Sequence, residues 1–181
     1  MRTPEVFPKW FIVSSIIALC VLTGATVSAQ SQTNRVRIGV YDSRAVAVAY
    51  ANSTEFRESM KSIQAEYQKA KAANDEMRIK RIESQMKLQQ RRLHEQGFST
   101  GSVATLVAKI KDALPGVAKK ANVLVIVSKW ELNYQSQDLE VVDVTEELVS
   151  LFHVSDKGRE WAKAVGTKPP LPIEEITDNM D

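Results

Sequence analysis

Two short β-like segments separated by a long helical excursion constrain this chain more than any other feature. Residues 35–41 read RVRIGVY, with Val36, Ile38 and Val40 alternating against Arg35, Arg37 and Tyr41, the period of a half-buried strand. Residues 123–128 read VLVIVS, an apolar β-branched run of the kind expected of a buried central strand. Residues 42–122 between them are charged, helical in period and poor in breakers. If both segments share a sheet, the intervening chain must leave the body and return. Such a shape suits holding or bridging other molecules better than bond chemistry.

Asp42-Ser43 offers a turn or N-cap before the Ala/Val-rich residues 44–51, enough for one or two helical turns. Asn52-Ser53 reads as the next N-cap, with Glu55 in the first turn where the helix dipole favours an anion. Phe56, Met60, Ile63, Tyr67 and Ala70 then follow the 4-3-4-3 spacing of a heptad seam. Ile79, Ile82, Met86, Gln89 and Leu93 repeat that rhythm out of phase with the first set. The phase breaks at residues 72–75, where Asn74 or Asp75 can cap a second helix. Phase and geometry favour a helical hairpin with its tip there. One continuous helix over residues 54–96 with a phase slip is the alternative, since neither Gly nor Pro marks the tip. Each hairpin helix would have about 20 residues, roughly 30 Å.

Residues 97–102 (GFSTGS) are a polar linker with two glycines. Ser102 is placed to cap a helix whose Val103, Leu106, Val107, Ile110 and Leu114 form a face that would lie on a sheet, until Pro115-Gly116 kinks or ends it. Residues 131–134 and 139–142 suggest a further short strand or hairpin. Asp143-Val144-Thr145-Glu146 resembles a capping box for a helix reaching Phe152. Ser155 can cap one more amphipathic helix containing Trp161, Ala162 and Val165. The final KPPLPIEEITDNMD has the Pro and acid content of a disordered tail. The fold class expected is α+β: a small sheet body with packing helices and a protruding antiparallel helical hairpin, a coiled-coil arm. The divisions are residues 30–53 (body, first strand), 54–96 (arm), 97–154 (body) and 155–181 (extra helix and acidic, Pro-rich tail).

The N-terminus reads as an address. Arg2 and Lys9 give a basic start, residues 11–22 are apolar, and Val27 and Ala29 place small residues at the −3 and −1 positions of a cleavage site. Residues 1–29 therefore have the layout of a secretory signal peptide. The alternative is an uncleaved inner-membrane anchor, because residues 10–29 have the length of a bilayer span. Cys20 is the chain's one cysteine, and Leu19 precedes it where a lipidation signal wants a small residue. Cleavage would leave no thiol, excluding a disulfide framework, thiol catalysis and cysteine-based metal sites.

Charge is divided along the chain. Residues 54–130 carry fifteen Lys/Arg against eight Asp/Glu, and residues 131–181 carry four against twelve. A basic arm would attract acidic partners or an anionic membrane surface. Mixed signs within the arm, together with export, argue against nucleic acid. Tyr67, Met77, Ile79 and Ile82 are the candidate apolar contacts for a bound client, with Lys69, Lys71, Arg78, Lys80 and Arg81 supplying attraction. A solvated helix face explains the same basic residues. His94 and His153 stand far apart with no cysteine or paired carboxylates beside them, and no glycine loop for phosphate is present. Asp138, Glu140 and Asp143 imitate a metal cluster, but capping accounts for Asp143. No catalytic residue, metal or cofactor is expected, and the chain does not read as an enzyme.

Several pieces in order, Ile38-Gly39-Val40-Tyr41-Asp42-Ser43, the 97–102 linker, the amphipathic helix, the 123–127 strand, Tyr134, and Asp143-Val144-Thr145 leading into Leu148, resemble the Skp-like (OmpH-family) periplasmic chaperones. The resemblance spans residues 36–152 and lies in the order of the pieces. It implies a small α/β body with a helical hairpin, assembly as a trimer through the bodies, a periplasmic location, and the holding of unfolded outer-membrane or envelope proteins without catalysis. This arm is much shorter than those of well-known members, and Pro115-Gly116 interrupts a helix that is normally continuous. A non-catalytic envelope scaffold of the same fold is the alternative function.

Overall fold

A computed structural model describes residues 35–176. The expected signal peptide or anchor, and the last five residues of the tail, lie outside the described residues. Val36–Tyr41 forms β1, Ser43–Ala51 α1, Thr54–Ala72 α2, Glu76–Phe98 α3, Ala104–Val107 α4 and Leu114–Ala121 α5. Val125–Ser128 is β2, Leu139–Asp143 β3, Thr145–Ser150 α6 and Asp156–Gly166 α7. Two stretches, Ala108–Ala113 and Ile173–Glu175, are 3₁₀ helix. Helices and strands are thus mixed, as an α+β body requires.

The strands form one parallel sheet in the order β2-β1-β3. Ile38 lies opposite Val125 on one side and Val141 on the other, so β1 is the central strand. The VLVIVS run, expected at the centre, is instead an edge, with Leu124 78% and Val125 53% exposed. An unbroken apolar run marks a strand with apolar residues on both faces, but it does not say how many neighbours that strand has. Residues 131–134 form no strand.

Residues opposite one another in the ladders share a face. Gly39, Tyr41, Ile126 and Val142 share the inner face, where Tyr41 joins the core and Ile126 and Val142 pack against it. At Gly39 a Cβ would stand 3.2 Å from Val123 and 3.3 Å from Ile126, so the small residue lets these side chains close over β1. The outer face carries Val36, Ile38, Val40, Val125, Val127, Leu139 and Val141. Val36 and Val125 on it are about half exposed.

α1 is apolar nearly all round, which suits a helix that other elements surround. It meets α2, α3, α4, α6 and α7. Ala45, Val46 and Ala49 from it join Leu106, Val117, Leu148, Phe152 and Ala162 in one core. Four helix starts follow the expected chemistry, but α4 does not: its N-cap is Val103, which makes no side-chain cap bond, and Ser102 Oγ accepts the Ala104 N–H only at 3.4 Å. Asp42, Ser53, Asp75 and Ser155 each accept a backbone N–H through the side chain, at 3.0–3.2 Å. The capping box before α6 forms only in part: Asp143 Oδ1 accepts the Thr145 N–H at 2.8 Å, while Glu146 pairs with Arg159 at 3.6 Å.

The helix expected to run to Pro115 is divided earlier. α4 gives way to 3₁₀ geometry at Ala108, and Pro115 sits in the first turn of α5, where its missing N–H costs nothing. Pro115 cannot donate to the Lys111 carbonyl, which accepts the Leu114 N–H instead, an i→i−3 bond. The segment after α7 also departs from a free tail. Lys168 O accepts from Arg44 Nη1 at 2.8 Å, the Leu171 N–H donates to Phe98 O at 2.9 Å, and Ile176 is buried. Proline content, read as disorder, here lowers the entropy lost when the segment docks.

Candidate functional site

The helices α2 and α3 are built on the two seams. On α2 all residues are exposed except Phe56, Met60, Ile63, Tyr67 and Ala70. On α3 the positions Ile79, Ile82, Met86, Gln89 and Leu93 are likewise covered in whole or part. α2 ends at Ala72 and α3 begins at Glu76, so no continuous helix spans residues 54–96. Asn74 takes the left-handed conformation between them (φ 54°), which Asn tolerates better than most residues. Tyr67 OH donates to Glu83 Oε1 at 2.9 Å, and Arg78 reaches Glu66 at 3.7 Å.

Near the turn the contact is tight, with Ala70 and Ile82 almost wholly buried. Towards the body it loosens. Phe56, Met60, Met86 and Leu93 stay partly exposed and, with Val48 of α1 and Phe98, line an open groove of about 720 Å³. Gln64, Gln90 and His94 are among its polar residues. The root is braced from several sides. Tyr50 meets Phe56 and Phe152 edge to face at 5.5 and 6.0 Å, Lys109 Nζ lies 2.6 Å from Glu55 Oε1, and Gln96 Nε2 donates to Ser102 O at 2.7 Å.

The groove can bind by burial of apolar surface and by side-chain amides. Met60 and Met86 are unbranched and polarizable and adapt to irregular shapes. Each Gln amide both donates and accepts, so a peptide backbone can be met in either polarity. Among the described residues no group of three or more His, Cys, Asp or Glu could hold a metal ion.

The nine residues singled out from the sequence do not form one site. Tyr67 alone lines the groove. Met77 is 81% exposed beside the turn, and Lys69, Lys71, Lys80 and Arg81 are exposed around it. Lys71 Nζ rests 4.9 Å from the Tyr67 ring centre. Arg78 is engaged with Glu66, and Ile79 is half-buried. Ile82 needs correcting as a contact residue: at 3% exposure it is part of the seam, because its heptad position points it at α2. Sequence reasoning placed Phe56, Met60, Met86 and Leu93 in the seams, with a client contact as the alternative for the two methionines, and missed Val48 and Phe98 as part of a surface. The signal was the Met and Gln content of the seams, which cannot close as repeated Leu would.

A second cluster sits at the carboxyl ends of the strands. Asp42 accepts from Arg44 Nε and Nη2 at 3.2 and 3.0 Å, from Trp130 Nε1 at 3.2 Å and from Lys129 Nζ at 2.8 Å. The Arg44 guanidinium also lies 5.0 Å from the Trp130 ring centre. Burial pushes the Asp42 pKa upward, but the bonds from Arg44, Lys129 and Trp130 together outweigh it and bring it to about 2. An adjoining crevice of about 610 Å³ includes Asp143, Thr145 and Lys163 in its walls. Parallel sheets often bind ligands at this end. Here the carboxylate is already saturated by its own chain, and the cluster serves as a clasp.

Comparison of the chain with protein-family models, curated proteins and solved structures returned no match. No helix among the described residues is long and apolar enough to cross a membrane.

Proposed function

We propose that this chain is a non-catalytic, periplasmic holdase of the Skp-like (OmpH-family) kind, in which α2 and α3 form a short antiparallel hairpin arm that holds unfolded outer-membrane or envelope proteins. The observation that carries the reading is the open apolar groove along α2 and α3, continued by a basic turn region. Holding a non-native segment needs accessible apolar surface, adaptable side chains and a charge that speeds encounter. The groove supplies the first two, and Lys69, Lys71, Lys80 and Arg81 supply the third. Copies assemble through the outer sheet face, as a trimer by the resemblance; partly exposed Val36, Val125 and Val141 support that surface.

A scaffold reading is favoured by one observation, the shortness of the arm, whose helices have 19 and 23 residues. Such an arm reaches roughly 30 Å at 1.5 Å per residue. The test is suppression of aggregation of an unfolded outer-membrane β-barrel protein by the full chain and by Met60→Glu/Met86→Glu. Suppression that the double variant loses supports holding. No suppression by the parent, with a few fixed partners recovered after crosslinking, assigns the scaffold role.

A further inference from the structure

We propose that residues 167–176 form a latch that fixes the root of α3 and so sets access to the groove at its body end. Within Pro169-Pro170-Leu171-Pro172, Leu171 supplies the only backbone N–H. That N–H donates to the carbonyl of Phe98, the last residue of α3, at 2.9 Å. Carbonyls in the last turn of a helix lack partners within it, so the strap fills a vacancy the helix cannot. The prolines restrict the strap to extended geometry before it docks; Pro172 lies at φ −54° and ψ 141°.

The strap is held on both sides of this bond. Upstream, Lys168 O accepts from Arg44 Nη1, and Arg44 is gripped by Asp42. Downstream, Ile176 is buried. Phe98 is itself a wall of the groove, 40% exposed, with its ring 5.5 Å from that of His94, another groove residue. The strap therefore ties the ion cluster at the strand ends to a residue of the groove wall. The latch depends on the holding function for its consequence, not for its existence.

The test uses the full chain carrying Cys20→Ser, which removes its one thiol, and Met60→Cys, which places a reporter in the groove. Leu171→Pro deletes the N–H and leaves a four-proline strap; Leu171→Ala keeps the N–H. Loss of one hydrogen bond predicts that Leu171→Pro speeds thiol modification at position 60 about fivefold, while Leu171→Ala leaves the rate at the parent's. Equal rates in the parent and Leu171→Pro overturn the latch. Equal acceleration by Leu171→Ala also overturns it, assigning the effect to side-chain packing. Client capture is measured separately: its absence with the labelling difference intact overturns the holding function alone.

Discussion

Asp42 and Arg44, two positions apart at the start of α1, form an ion pair of 3.0 Å in which both residues are at least 97% covered. The same carboxylate caps α1 and binds Lys129 and Trp130, so four separate tasks converge on one side chain. Removing one member of such a pair strands the other in a place water does not reach. Asp42→Asn is therefore expected to cost about 3–5 kcal/mol, read as a lowered urea midpoint. A midpoint equal to the parent's would show that the cluster carries little of the stability.

The same carboxylate predicts an acid response. Its folded pKa, about 2, lies below the ordinary 3.8, so folding favours the ionised form. The resulting stability is complete above pH 3.8 and is lost as pH falls towards 2. Urea midpoints measured from pH 6 to pH 2 should drop more steeply for the parent than for Asp42→Asn below pH 3.8. Parallel curves would rule out Asp42 as the source.

The seam predicts an opposed pair of mutants on α3. Ile82→Ala removes a buried side chain and should cost about 2–5 kcal/mol of thermal or urea stability. Met77→Ala, five positions away and 81% exposed, should change stability by no more than about 0.5 kcal/mol. Equal effects would mean that α2 and α3 do not pack as described.

Gly101 closes the turn after α3. A Cβ there would lie 2.8 Å from the Glu95 carbonyl oxygen and 2.9 Å from its carbon, and backbone cannot rotate aside. Gly101→Ala should destabilise by about 1–3 kcal/mol and weaken the Gln96–Ser102 bond at the end of α3. Retention of full stability would show that residues 99–102 can rearrange.

Local chemistry was legible where a single residue decides it. Ser53, Asp75 and Ser155 are caps in the sequence and caps in the fold. The seam positions were legible too, because a period of 3.5 survives any arrangement of the rest. What the seams leave open was legible only in part: Met60 and Met86 read as core first and as client contacts second, and the spacing of α1, α2 and α3 turns them into a surface. Strand order escaped for the same reason, since nothing in VLVIVS tells an edge from a centre. Asp42 announced itself as a cap, but its partners Lys129 and Trp130 are distant in sequence and meet it only once β1 and β2 pair. Leu171 was hidden in a composition that usually means disorder.

The three-residue turn at Ala73-Asn74-Asp75 limits how a chain of this design can change size. With so little slack, α2 cannot gain a turn unless α3 gains one opposite it, or Tyr67 and Glu83 slide out of register. A single insertion would rotate one seam away from the other by about 100°. Growth that keeps both seams facing comes in matched heptads, each lengthening the pair by roughly 10 Å. Length is thus a stepped quantity in this architecture, and a longer pair of helices is two coordinated insertions away rather than one.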